Sequence, residues 1–139
     1  MSDTATDPTG VEEYEDDHTE LTAAELELYR TRLAAERASV AERLARHLNE
    51  AVRDNEILPD ENDAASRETD QLYLLRLADK EKKLLRQIDR AMAKFETGAF
   101  GLCEGTGDPI GRRRLELRPW TRYSIQHKER LERDKAARR

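Results

Sequence analysis

Aromatic residues make up only 5% of this chain, and hydrophobic residues of every kind reach 37% of its 139 positions. So little apolar material excludes a thick globular core; it fits either disorder or long helices that bury one narrow seam. Cysteine is limited to Cys103, which excludes an intrachain disulfide and points away from an oxidising compartment. No apolar run approaches the roughly 18 residues of a membrane span. The first twenty residues hold no Lys or Arg, the opposite of a signal peptide's basic start, so the expected location is the cytoplasm.

What the chain has in abundance is charge, at 40% of residues, with a net value of -5. Residues 1-20 carry Asp3, Asp7, Glu12, Glu13, Glu15, Asp16, Asp17 and Glu20 and read as an acidic flexible arm. The stretch from Arg112 to Arg139 is strongly basic. Ala, Glu, Lys, Leu and Arg dominate between them, a composition that favours long helices.

From Leu21 the apolar residues fall at helical spacing: Leu26, Tyr29, Leu33, Val40, Leu44, Leu48 and Ala51. Thr22, with Glu25 three positions on, forms a capping box for this first helix. Pro59 cannot continue a helix and biases Leu58 away from helical angles, so the helix is expected to end near Ile57. A second run with Leu74, Leu77, Leu84, Ile88, Ala91 and Phe95, widened by Leu85 and Met92, ends at Gly98. Two such helices joined by a short turn pack antiparallel, and some 30 paired residues make a rod of about 45 Å. Residues 21-97 are therefore a coiled-coil hairpin with an acidic tip at 58-66. Arg37 and Glu81 fall at inward-leaning positions of its seam, which weakens it. The fold class is mainly α.

Gly98, Gly101, Gly105, Gly107 and Gly111 crowd with Pro109 into fourteen residues, which excludes regular helix there. Residues 98-123 form a compact, turn-rich knob, and 124-139 return to a basic, helix-favouring segment.

The tip Asp60-Glu61-Asn62-Asp63-Ala64-Ala65 matches the D-x-x-D-x-A pattern of the DksA/TraR family. The run Gly98-Ala99-Phe100-Gly101-Leu102-Cys103-Glu104 resembles that family's approach to its zinc finger, and Ile110-Gly111-Arg112-Arg113-Arg114-Leu115-Glu116-Leu117-Arg118-Pro119 resembles its I-G-x-x-R-L-x-x-x-P motif. The likeness spans roughly Leu21 to Leu131. It implies a bacterial transcription regulator that binds RNA polymerase and not specific DNA sequences, is not an enzyme, and inserts its coiled coil into the polymerase secondary channel; a hairpin that closes its own seam predicts a monomer. Asp60, Asp63 and Ala65 are then the tip residues that approach the active centre, and Arg76, Lys80 and Lys83 contact the polymerase rim.

The family's four-cysteine finger places its ligands at Cys103, Thr106, Ser124 and His127, of which only the first is cysteine. Hydroxyls are poor zinc ligands, so no metal is expected and the knob should be held by packing of Leu102, Ile110, Leu115, Leu117 and Trp120. Family members that respond to the alarmone ppGpp use basic residues where coiled coil meets knob. Arg118 and Lys128 match such positions, with Leu84 nearby, while the third basic position is the uncharged Gln87. Salt bridges of Arg118 and Lys128 with Glu116 or Glu129 are the alternative use of those charges.

Other readings follow from the residues alone. Asp60 or Asp63 can cap the second helix, for about 0.3 to 1 kcal/mol, and this is compatible with the tip role. The basic surface from Arg112 to Arg139 suits salt-dependent, sequence-indifferent nucleic-acid binding. Asp60, Glu61 and Asp63 are also the residue types with which a transcript-cleavage factor holds magnesium. Cys103 with His127 has the elements of a nucleophile and base, but no orienting third group accompanies them, and His18 and His47 lie elsewhere, in the tail and on a helix.

Overall fold

The computed structural model describes residues 18-53 and 61-138, with the side chains of 61-64 outside that description. Four helices appear among them: α1 at Ala23–Arg53, α2 at Glu61–Thr97, α3 at Arg112–Leu117 and α4 at Ile125–Ala137. The expected capping box opens α1. Thr22 N–H donates to Glu25 Oε1 and Glu25 N–H donates to Thr22 Oγ1, both at 3.1 Å, so two of the otherwise orphaned N-terminal donors are satisfied. Gly98, at φ 74°, ends α2. Ala99 N–H then donates to Lys94 O at 3.0 Å, the closing bond of a Schellman turn that needs a residue without a Cβ penalty at positive φ.

The chain divides into two compact units, one of residues 31-90 and the other of the residues before and after it. In the 31-90 unit, Arg37 pairs with Asp89, Arg43 and His47 with Glu81, and the Gln71 amide with Ala51 O. Numbers rise along α1 as they fall along α2, so the helices run antiparallel. The thirty residues of α2 in this unit extend about 45 Å at the α-helical rise. Leu33, Val40, Ala51, Ala78, Ile88 and the carboxylate-bearing Glu81 are its buried residues. Leu44, Leu48, Leu74, Leu77, Leu84 and Leu85 are half-buried, as expected of a two-helix seam that covers each side chain from one direction only.

The expectation for the two charged seam positions divides. Glu81 is inside, 9% exposed, with His47 Nδ1 at 2.8 Å from Oε2 and Arg43 Nε at 3.8 Å from Oε1. Arg37 is on the surface instead, its Nε 2.6 Å from Asp89 Oδ1, because a long stem lets a guanidinium reach water from the flank of a seam.

In the other unit, Tyr29, Ala91, Phe100, Cys103, Ile110 and Leu115 form the buried hydrophobic set, and Ser124 is buried with them. Phe100 stacks on Phe95 at 4.2 Å and tilts against Tyr29 at 5.7 Å, a cluster worth more than its area alone. The turn-rich segment is a tight loop closed by Cys103 N–H to Asp108 O at 2.7 Å and Ile110 N–H to Gly101 O at 2.8 Å. Two residues expected in its centre are outside it: Leu102 is 37% exposed and Leu117 is 80% exposed. Leu117 is the last residue of the six-residue α3, on which only Leu115 is buried; Phe100 and Cys103 take the places assigned to the two leucines.

Candidate functional site

The acidic tip lies where α2 begins. Asp60 is outside the described residues; Asp63 is in the first turn of α2, and Ala65, one turn in, is exposed. Farther along the same helix Arg76, Lys80 and Lys83 are all exposed and make no ion pair among the described residues. Steps of four and three place them on one face, so the expected basic edge is present and available. Leu84 is half-buried and Gln87 exposed on this helix, within the 31-90 unit.

Arg118 and Lys128 belong to the other unit. Both side chains are exposed and neither forms an ion pair among the described residues; Glu116 instead accepts from Tyr29 Oη at 3.3 Å.

Thr106 and Ser124 lie close enough to Cys103 to act on its thiol, and Ser124 accepts from the His127 backbone. Cys103 is 2% exposed. Burial pushes its thiol up, but the backbone N–H groups of Ser124 and Gly105 and the hydroxyls of Thr106 and Ser124 outweigh this and bring it to about 7. Each hydroxyl also has a second task. Ser124 is the N-cap of α4 and accepts from His127 N–H at 3.3 Å, while Thr106 Oγ1 accepts from Asp108 N–H at 3.3 Å. The His127 ring closes over Gly105, where an added Cβ would clash with Nε2, and tilts against Tyr123 at 5.1 Å.

A structural zinc needs four N or S donors. These positions offer one sulfur and one imidazole, whose buried Nδ1 lacks a hydrogen-bond partner among the described residues. No group of three or more His, Cys, Asp or Glu side chains suited to a metal occurs among the described residues. The donor set does not fit the ion.

Three charged contacts that sequence reading missed brace the knob and its neighbours. Arg112 Nε and Nη2 grip Glu25 Oε2 and Oε1 at 2.7 and 2.9 Å, while Nη1 and Nη2 donate to Thr19 O at 3.1 Å and Glu20 O at 3.0 Å. With the Thr22 N–H, Arg112 holds the Glu25 carboxyl down at about 2. Arg114 Nε donates to Tyr123 O at 2.9 Å, which gives the arginine of the I-G-x-x-R-L motif a structural task. Glu104 lies between Lys94 Nζ at 3.3 Å and Arg122 Nε at 2.7 Å; burial raises its pKa, and these two cations more than reverse that. Each pairing joins residues distant in the chain, so no local pattern could have found it.

No helix among the described residues is long and apolar enough to cross a membrane. Comparison with known proteins agrees with the architecture. The model for the DnaK suppressor protein DksA N-terminal domain matches residues 25-95, and that for the prokaryotic dksA/traR C4-type zinc finger matches residues 98-133. The RNA polymerase-binding transcription factor DksA of Caulobacter vibrioides is 37% identical over 109 residues, 78% of this chain and 77% of that protein. The protein of the same name from Escherichia coli K12 is 35% identical over 112 residues, 79% of this chain and 74% of its own. The solved structure of transcription factor DksA2 from Pseudomonas aeruginosa superposes with a TM-score of 0.75 at 38% identity, covering 82% of this chain and 88% of that one. With both halves of the family architecture matched in order and the antiparallel hairpin and knob in place, the chain belongs to the DksA family.

Proposed function

We propose that this protein binds RNA polymerase directly and modulates the stability of promoter complexes by placing the α1–α2 hairpin in the polymerase secondary channel. The observation that carries the reading is the 37% identity to an RNA polymerase-binding factor over 78% of the chain. The acidic tip motif and the antiparallel hairpin support the mode of insertion. Asp60 and Asp63 act at the active centre as short carboxylates able to engage basic side chains or disturb elements beside a catalytic magnesium. Arg76, Lys80 and Lys83 hold the rim. The knob does this work without zinc, its hydrogen-bonded Cys103 centre taking the metal's organising role. Alarmone binding at Arg118 and Lys128, without the third cation that Gln87 replaces, is a finer part of the same reading and predicts weak, salt-sensitive ppGpp binding.

The test is pulldown of RNA polymerase by wild type and by Asp60→Asn/Asp63→Asn, with promoter-complex lifetime measured on the same preparations. Wild type should bind and shorten the lifetime, and the variant should bind without shortening it. If neither binds, the reading fails. A second reading, nucleic-acid binding by the basic C-terminal surface, is favoured by one observation: α4 has no buried residue. It requires duplex binding that falls steeply between about 50 and 200 mM salt.

A further inference from the structure

Two apolar side chains stand on the side of α2 that faces away from the seam. Leu72 and Tyr73 are each more than half exposed, although the same helix closes its seam with the buried Ala78, Glu81 and Ile88. At about 100° per residue, Leu72, Tyr73, Arg76, Lys80 and Lys83 all lie about 120° to 160° around α2 from Ala78. They form one outward strip about 17 Å long, within the 31-90 unit. Asp79, the acid beside it, falls on its flank, about 100° from Ala78. Neither the Tyr73 hydroxyl nor any of the three cations has a hydrogen bond or ion pair among the described residues.

A lone exposed leucine needs no account. A leucine and a tyrosine side by side at the head of an unpaired basic row are different: they have the composition of an interface centre, where Tyr and Arg are enriched. The chain carries a net charge of -5, so a row of three cations is a local exception, and its complement is an acidic surface. A nucleic-acid backbone would engage the cations but has no use for Leu72. Protein therefore fits the strip better than nucleic acid.

We propose that Leu72 and Tyr73 anchor this strip on RNA polymerase, against an apolar patch that borders an acidic surface opposite Arg76, Lys80 and Lys83. The inference rests on the polymerase reading and adds to it an apolar contact nearer the tip than the cations. The cations steer the approach and are screened by salt, while the two apolar side chains set how long the complex lasts.

The test is the binding kinetics of the full-length protein on immobilised RNA polymerase. Leu72→Ala/Tyr73→Ala should dissociate on the order of tenfold faster than wild type, with its association rate and the salt dependence of that rate unchanged. Arg76→Gln/Lys80→Gln/Lys83→Gln should instead associate more slowly and lose most of the fall in association rate between about 50 and 300 mM salt. Alanine suits a helix and the replaced side chains are exposed, so the urea midpoint should stay at the wild-type value; Tyr73→Phe should keep the slow dissociation. If wild type binds and the apolar double variant leaves at the wild-type rate, the anchor is overturned and the polymerase reading stands. If wild type does not bind, both fall. Duplex DNA binding by the free protein that is lost in the same double variant assigns the strip to nucleic acid and overturns the inference.

Discussion

Replacing Arg112 with Met keeps the aliphatic stem and deletes the guanidinium, which holds a carboxylate and two backbone carbonyls from the start of the chain. The Arg112 and Glu25 side chains are 26% and 30% exposed, so their bonds are worth less than the 1.5–3 kcal/mol of a buried charge-assisted bond and more than a fully solvated pair. The expected loss is about 2 kcal/mol. The single tryptophan, Trp120, lies in the same unit and reports on it, so urea unfolding followed by its fluorescence is the assay. Because the Glu25 carboxyl is held at about 2 in the fold against an ordinary 4.5, its contribution is fully present above pH 4.5 and is lost as the pH falls toward 2. The gap between wild type and Arg112→Met should thus be constant from pH 7 to 5 and narrow below 4.5. Glu25→Gln should show a similar loss, and the double variant should lose less than the two single losses added. A cost under about 0.5 kcal/mol at pH 7, or full additivity, would refute the clamp.

Cys103, brought to about 7 from an ordinary 9, stabilises the fold once ionised. Stability should rise on the order of 2 kcal/mol from pH 7 to pH 9 and fall back as the pH drops through 7; Cys103→Ala should flatten this window in the Trp120 assay, and an unchanged slope would contradict it. Chelation should leave the wild-type urea midpoint where it is. Thr106→Cys/Ser124→Cys, which completes a Cys₃His set with Cys103 and His127, should instead bind one zinc by elemental analysis and become chelator-sensitive; stoichiometric zinc in wild type would refute the metal-free knob. Glu81→Ala should cost about 1–3 kcal/mol by stranding His47 inside the seam. Joint replacement of His47 and Glu81 by Leu should be neutral or stabilising in urea unfolding, and an equal loss in both variants would count against the pair.

The two long helices were legible because helix periodicity, a capping box and a terminal glycine are local signals, and each needs only its own neighbourhood; the expected helix end near Ile57 and the Pro59 turn lie outside the described residues. Sequence reading erred where the answer depends on what lies across a contact. Leu102 and Leu117 looked like core because they are apolar, yet Phe100 and Cys103 are nearer the packed centre. Ala78, 1% exposed, was not among the expected seam residues, although a close helix approach selects a small side chain. His47 had no visible partner until α2 brought Glu81 to 2.8 Å. Arg112 meets Glu25 across 87 positions, beyond the reach of any spacing rule. Of the tip motif, Asp60 falls outside the described residues.

The substitutions at the finger positions are not a plain loss. A cysteine that gives up zinc must leave its sulfur solvated or find donors, because a buried thiolate without partners is costly. Here Thr106 and Ser124 stand at two of the family's ligand positions; their hydroxyls help to lower the Cys103 pKa, and each also accepts a backbone N–H of its own segment. His127, at the fourth, fills space against Gly105. The hydrogen bonds need no metal supply, but they depend on the protonation of Cys103. This ties the knob's stability to pH near neutrality, whereas a zinc site would have tied it to metal.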